Sequence, residues 1–173
     1  MIELVIGGAR SGKSSHAERR AHDTGLRVIY VATATAHDSE MVDRIAHHRQ
    51  RRPAHWQTIE EPLALATLLQ REAKPATCLL VDCLTLWLTN LLLANREPEI
   101  DRLLAALPAL PGEIVLVSNE VGWGIVPENA LARRFRDEQG RLNQRIAALA
   151  DNVTLVAAGL PLVLKHTPLP VVG

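Results

Sequence analysis

The sequence has few of the features that mark exported, disulfide-bonded or metal-clustered proteins. Its 173 residues contain only two cysteines, Cys78 and Cys83, which lie in and just after an apolar run without zinc-site spacing. We interpret them as buried small side chains rather than as a disulfide or metal pair. The first residues lack the basic start and cleavage site of a signal peptide. We therefore expect a cytoplasmic protein.

No sign of charge dominates, and no apolar run is free of polar residues. Nineteen Lys and Arg balance nineteen Asp and Glu, for a formal net charge of +0. Because no whole-protein field would attract a polyanion, we expect no nucleic-acid partner. The most apolar stretch, residues 78–94, is interrupted by Asp82 and by the pair Thr89 and Asn90, which favours a buried strand and helix over a membrane span. Internal repeats and low-complexity segments are missing, so residues 1–173 are predicted to form a single domain.

What the sequence does contain is a regular alternation of predicted strands and helices. We predict strands near residues 2–6, 27–33, 56–59, 78–82, 113–118, 153–157 and 162–165. We predict helices near residues 13–24, 38–52, 61–73, 84–95, 97–107 and 128–150. This alternation indicates an α/β fold, a mostly parallel sheet with helices on both faces. In such sheets ligands bind at the carboxyl ends of the strands.

The first strand leads into a phosphate-binding P-loop of the form Gly-x4-Gly-Lys-Ser. The loop consists of Gly7, Gly8, Ala9, Arg10, Ser11, Gly12, Lys13 and Ser14. Its glycines let successive backbone N–H groups converge on a phosphate, and the following helix directs its positive end to the same anion. We predict that Lys13 reaches the β and γ oxygens of a nucleotide and that Ser14 holds Mg²⁺.

A second nucleotide-site element is predicted at the end of the strand near 78–82. The apolar residues 79–81 lead into Asp82. A carboxylate in this place, the Walker B position, orients Mg²⁺ or its water beside the P-loop serine. Apolar runs ending in Asp are common at strand ends, and the P-loop upstream is what favours the functional interpretation.

The predicted helix 38–52 carries two adjacent histidines that face different ways. His48 shares an apolar stripe with Met41 and Ile45, whereas His47 lies on the charged face. A neutral imidazole is a competent nucleophile toward phosphorus, and nearby arginines would favour that neutral form. The spacing alone leaves two interpretations open, a catalytic His47 or an ordinary solvated surface.

Residues 118–129 follow a predicted buried strand and place glycines on either side of Trp123 before a proline-led helix start. A connection of this length at a carboxyl edge favours a substrate-binding wall, and the alternative is a simple strand-to-helix turn.

Three segments together resemble one family. They are the P-loop 7–14, the segment 44–56 with its His-His pair and Arg-Pro-Ala-His-Trp, and the loop 119–129. The chain resembles the bifunctional adenosylcobinamide kinase/adenosylcobinamide-phosphate guanylyltransferases of cobalamin biosynthesis, from residue 2 to about residue 165. The resemblance implies a RecA-like P-loop NTPase fold and two reactions. Adenosylcobinamide is phosphorylated from ATP or GTP, and GMP then passes from GTP to adenosylcobinamide phosphate, releasing pyrophosphate, through a guanylylated histidine.

The resemblance also assigns residues. It makes His47 the guanylylated residue, acting with Lys13, and implies a homotrimer with sites at subunit boundaries. Besides the P-loop, the nucleotide-binding residues it implies are Ala32, Thr33, Ala34, His48, Arg49, Gln50, Arg51, Glu60 and Asp82. Glu61 adjoins Glu60, and a shift of one residue in matching this sequence to the family would assign the nucleotide contact to Glu61 instead. The chain has no Asn-Lys-x-Asp motif for reading guanine, and its sequence identifies no general base for the acceptor hydroxyl.

Two other functions are compatible with the P-loop. A P-loop kinase of another small alcohol or nucleotide would use the same loop and Asp82 but would give His47 no role. A non-catalytic, regulatory GTP-binding module would bind nucleotide without releasing pyrophosphate.

Overall fold

The computed structural model describes residues 1–34 and 53–167, which form an α/β fold around one seven-stranded sheet. The strands are β1 (Ile2–Gly7), β2 (Arg27–Ala32), β3 (Gln57–Glu60), β4 (Thr77–Asp82), β5 (Glu113–Asn119), β6 (Asn152–Ala157) and β7 (Leu160–His166). The helices are α1 (Lys13–Asp23), α2 (Leu65–Glu72), α3 (Leu84–Ala94), α4 (Pro98–Ala106) and α5 (Ala130–Leu149), with a 3-10 turn at Leu107–Ala109.

The strand order is β3-β2-β4-β5-β1-β6-β7, and every pair is parallel except the antiparallel pair β6–β7. Strand β5 therefore separates β1, which leads into the P-loop, from β4, which ends at Asp82. In register, Gly7 lies opposite Asn119, and Asp82 lies opposite Val117. The carboxyl ends of β1, β5 and β4 thus form one continuous edge.

Side chains alternate between the two faces of the sheet and enter two separate cores. On one face, strand residues such as Leu4 and Leu116 pack with α2, α3, α4 and α5. On the other face, Val5 and Val117 pack with Ala17 and Ala21 of α1. Because the sheet is apolar on both sides, its strands read as nearly continuous hydrophobic runs, as expected for a parallel sheet.

The predicted fold class is confirmed, with differences at three element ends. Helix α2 begins at Leu65 rather than near 61, because the Glu61 carboxylate accepts hydrogen bonds from the N–H groups of Leu63 and Ala64 and holds a turn there. Helix α5 begins after Asn129, whose side chain caps it. The last strand is longer than predicted and antiparallel. The predicted helix 38–52 lies outside the described residues.

Both cysteines are buried free thiols, as predicted. Burial raises the pKa of Cys78 and of Cys83 to about 11, so both are protonated at neutral pH. Within residues 1–34 and 53–167, no helix has the length and apolar character needed to cross a membrane.

Candidate functional site

The P-loop connects β1 to α1 in a backbone path that depends on small residues. Gly12 has a φ of 95°, in the left-handed region that favours glycine, and a Cβ there would lie 3.1 Å from the Cα of Gly159. At Gly7 a Cβ would lie 2.4 Å from the backbone oxygen of Val156 and 2.6 Å from the Oγ of Ser11. The loop is thus packed against the turn between β6 and β7, and its shape is fixed by backbone contacts.

The N-terminus of α1 is open to an anion. No side chain caps it, and its first turn contains no acidic residue. The start of an α-helix presents backbone N–H groups and the positive end of the helix dipole, which favour a negatively charged group. Lys13, the first residue of α1, donates to the carbonyl oxygen of Gly8 at 3.2 Å and so folds back over the loop. Ser14 follows it and is half-buried.

Asp82 ends β4 with its carboxylate held in place by a neighbouring strand. Its Oδ2 accepts a hydrogen bond of 2.5 Å from the hydroxyl of Tyr30, which is buried in β2. Burial, followed by the negative charge of Asp82, raises the pKa of Cys83, the residue after Asp82, and the positive charge of Lys13 lowers that pKa to a smaller extent. Lys13 and the Asp82–Cys83 segment are therefore close enough to interact electrostatically.

Thr33, just beyond β2, is fully buried and joins two strand ends. Its hydroxyl donates to the carbonyl oxygen of Cys83 at 2.7 Å and accepts from the N–H of Cys83 at 2.9 Å. Its own carbonyl oxygen accepts from Asn90 of α3 at 2.8 Å. The Thr33 side chain is thus engaged in holding β2 against β4, while Ala32 and Ala34 on either side are half-buried.

The two glutamates at the end of β3 differ in their contacts. Glu61 caps the turn before α2, and its N–H donates to the carbonyl oxygen of Ala32 at 2.9 Å. Glu60 is exposed at the carboxyl end of the outermost strand β3. Of the predicted site residues, His47, His48, Arg49, Gln50 and Arg51 lie outside the described residues.

Strand β5 brings polar groups of the predicted segment 118–129 to the P-loop, although the sequence predicted no individual role for them. The N–H of Glu120 donates to the carbonyl oxygen of Gly7 at 3.0 Å, which ties the end of β5 to the start of the P-loop. Behind it, Ser118, Gln139 and Asn143 form a buried hydrogen-bond network between β5 and α5. The sequence shows polar residues at the end of this strand, but it does not show their contact with the P-loop. That contact joins Glu120 and Gly7, which are more than a hundred positions apart.

Beyond β5, the loop 121–129 is largely exposed and carries apolar side chains. Trp123 is 76% exposed and Ile125 is 98% exposed. Strand β7 at the sheet edge shows a similar pattern, and its exposed apolar residues are Leu160, Leu162, Val163 and Leu164. Contiguous exposed apolar patches are typical of interaction or binding surfaces.

A family model described as cobinamide kinase / cobinamide phosphate guanyltransferase matches residues 3–164. A bifunctional adenosylcobalamin biosynthesis protein, CobP, of Pseudomonas aeruginosa is 58% identical, covering 98% of this chain and 100% of that protein. The proteins of the same description named CobU are 47% identical in Salmonella typhimurium and 44% identical in Escherichia coli. Each comparison covers 95% of this chain and 100% of the relative.

Solved structures with the same architecture are much more distant in sequence. The flagellar accessory protein FlaH of Methanocaldococcus jannaschii superposes with a TM-score of 0.54 at 13% identity, covering 96% of this chain and 78% of that one. An ATPase domain superposes with a TM-score of 0.50 at 11% identity, covering 98% and 78% of the two chains. These likenesses support the RecA-like P-loop NTPase fold alone.

Proposed function

This chain belongs to the cobinamide kinase / cobinamide phosphate guanyltransferase family, and we propose that it carries out both reactions at the edge formed by β1, β5 and β4. It is a transferase of cobalamin biosynthesis, with ATP and GTP as nucleotide substrates and with adenosylcobinamide and its phosphate as acceptors. The observation that carries the proposal is the P-loop at the start of α1, with Lys13 folded over the loop at the same sheet edge as Asp82.

In the kinase reaction, the P-loop would hold the nucleotide phosphates while the acceptor hydroxyl attacks the γ-phosphorus. Lys13 and the N–H groups at the start of α1 stabilise the negative charge that grows on the leaving diphosphate. Because the loop is held by backbone contacts at Gly7 and Gly12, these donors are oriented before the substrate arrives. Little reorganisation is then needed as the bond breaks.

The guanylyltransferase reaction would use His47 as a nucleophile. The histidine attacks the α-phosphorus of GTP and pyrophosphate leaves, and the phosphate of adenosylcobinamide phosphate then displaces the histidine. Splitting the reaction gives each in-line step a good leaving group. The arginines that follow in the sequence, Arg49 and Arg51, would attract the phosphates, and His48 and Gln50 would complete this side of the nucleotide site.

Ser14 and Asp82 fit a Mg²⁺ ion in their chemistry. A hydroxyl and a carboxylate are the hard oxygen ligands that Mg²⁺ prefers, and Asp82 is already oriented by Tyr30. In the described part of the chain no group of three or more His, Cys, Asp or Glu side chains is arranged to hold a metal. A Mg²⁺ ion bound mainly through substrate phosphates needs no such cage, and it would neutralise phosphate charge in both reactions.

The remaining nucleotide contacts are assigned to the ends of β2 and β3. We propose that Ala32 and Ala34 contribute backbone groups and that Thr33 keeps their strand end in place through its two hydrogen bonds to Cys83. We favour Glu60 over Glu61, since Glu60 is exposed whereas the Glu61 carboxylate caps the turn before α2.

The exposed apolar side chains of residues 123–126 and of β7 support assembly into a homotrimer. Covering them with neighbouring copies would remove apolar area from water and would bring the loop 118–129 of one copy near its neighbour. The buried free thiols are compatible with a reducing cytoplasm.

Incubation with Mg²⁺ and GTP labelled at the α-phosphate tests the proposal. We expect acid-labile, base-stable label on the denatured wild-type chain and none on His47→Ala. The matched control is His22→Ala, which removes an exposed histidine of α1 and should retain the label. Absence of label from the wild type would favour an ordinary P-loop kinase, and label on His47→Ala would exclude the covalent role of His47.

A further inference from the structure

The end of β5 lies directly beside the strand that leads into the P-loop. Neighbouring strands in a sheet are about 4.8 Å apart. Strand β5 is the immediate neighbour of β1, whereas β4 is two strands away and β3 is four strands away. Of the glutamates that follow these strands, Glu120 is therefore much nearer the phosphate cradle than Glu60 or Glu61.

The backbone at this point is held from three sides. The N–H of Asn119 donates to the hydroxyl of Thr85 in α3 at 2.9 Å, and its carbonyl oxygen accepts from Asn143 of α5 at 3.1 Å. The N–H of Glu120 donates to Gly7 at 3.0 Å. Three different elements thus fix the segment 119–120 relative to the P-loop, so its side chains start from a defined position.

Two oxygen acceptors are concentrated at this position. The Oδ1 of Asn119 is buried and has no hydrogen-bond partner within residues 1–34 and 53–167. A buried amide oxygen without a donor costs free energy, so a donor from a ligand is expected beside it. The half-buried carboxylate of Glu120 follows immediately, with Oε1 accepting from the N–H of Gly122 at 2.7 Å.

We propose that Glu120 is the general base of the kinase reaction, an inference that rests on the proposed function. The acceptor hydroxyl donates its proton to the Glu120 carboxylate as its oxygen forms a bond to the γ-phosphorus. The bond between that phosphorus and the bridging oxygen breaks, and the nucleoside diphosphate leaves with the electron pair. Glu120 then releases the proton to solvent.

The guanylyltransferase reaction needs no such base. Its two nucleophiles, a neutral imidazole nitrogen and a phosphate oxygen, each carry a lone pair without losing a proton. Loss of a base that acts only on the acceptor alcohol should therefore impair the kinase reaction and spare the guanylyltransferase reaction, although both use the same P-loop.

Glu120→Gln is the decisive variant because it keeps the shape of the side chain. The amide oxygen can still accept from Gly122, and only the basicity is removed. We expect phosphorylation of adenosylcobinamide to fall at least about 100-fold, within the range of general-base contributions. Labelling by α-labelled GTP and transfer of GMP to supplied adenosylcobinamide phosphate should stay within about twofold of wild type.

The control is Glu138→Gln, which removes the charge of a glutamate paired with Arg141 on α5 and should leave both activities unchanged. An unchanged kinase rate in Glu120→Gln would overturn the proposal. Equal loss of kinase activity, labelling and transfer would also overturn it, since Glu120 would then support the loop in general. Failure of the proposed function is distinct, because the wild type itself would then neither phosphorylate adenosylcobinamide nor take up label.

Discussion

Two regions of the molecule differ in what surrounds their side chains. One is the edge formed by the carboxyl ends of β1, β5 and β4, and the other consists of the exposed apolar segments 123–126 and β7. At the edge, polar groups are tied to one another within the chain: Tyr30 to Asp82, Thr33 to Cys83, and Glu120 to Gly7. In the exposed segments, apolar side chains such as Ile125 and Leu160 have most of their surface in water.

This difference shows which features of the molecule are complete in a single chain. The edge positions its donors and acceptors through contacts that one copy supplies. Covering the exposed segments with another surface would remove apolar area from water. The edge residues and the exposed segments occupy different positions in the sequence, so substitutions can test them one at a time.

The largest effect is expected from Gly7→Ala, which disturbs the edge at its tightest backbone contact. The new Cβ would lie 2.4 Å from the backbone oxygen of Val156, so β1 and β6 would have to separate. Overpacking of this kind costs about 3 kcal/mol, which lowers the melting temperature by roughly 6–12 °C for a chain of this size.

The matched control is Gly8→Ala, where an added Cβ meets nothing within 4 Å. Thermal unfolding of the two variants without nucleotide compares the positions directly. Equal melting temperatures for Gly7→Ala and Gly8→Ala would show that the edge is more plastic than its contacts indicate.

A change confined to the exposed segments should affect assembly alone. Ile125→Asp places a charge on a side chain that is 98% exposed, so the isolated chain should fold with unchanged stability. In an assembly that covers this residue the charge would be desolvated, and the proposed trimer should dissociate at concentrations at least about tenfold higher than for wild type. Sedimentation velocity across a dilution series measures the shift.

Leu93→Asp provides the comparison, because it changes an exposed leucine on α3 that lies outside both segments. It should leave the oligomeric state unchanged. A monomeric wild type, or dissociation by Leu93→Asp in place of Ile125→Asp, would show that the exposed segments are not the assembly surface.

The features of the edge that come from local sequence could be predicted, and those that depend on long-range contacts could not. The P-loop, the strand ending at Asp82 and the burial of both cysteines each follow from a few adjacent residues. The hydrogen bond from Tyr30 to Asp82 joins residues 52 positions apart, and no motif specifies it. Likewise, the nearness of Glu120 to the P-loop follows from the strand order, which places β5 beside β1.

Element ends were predicted less well because side chains determine them individually. The segment 61–64 resembles the first turn of a helix, yet the Glu61 carboxylate binds two backbone N–H groups there and α2 begins only at Leu65. For β7, the sequence predicted a strand but not its antiparallel pairing, which depends on the tight turn at Ala158 and Gly159.

The smallest effect concerns the thiol of Cys83, whose titration reports whether the residue after Asp82 stays shielded from solvent. Burial raises its pKa from 9.0 to about 11. The folded chain therefore keeps a proton that the unfolded chain loses above pH 9, and stability present below pH 9 is lost as the pH rises toward 11. At pH 10 the loss is about 1.4 kcal/mol, because one pKa unit corresponds to about 1.4 kcal/mol.

Urea unfolding at pH 8 and pH 10, under reducing conditions, should accordingly show a smaller pH-dependent loss in Cys83→Ala than in wild type, by about that amount. Cys78, whose pKa burial also raises to about 11, is present in both proteins, so its contribution cancels in the difference. Equal losses in the two proteins would mean that solvent reaches the thiol in the folded chain. The residue following Asp82 would then be open to water, and the contrast between a buried edge and the exposed segments would fail beside Asp82.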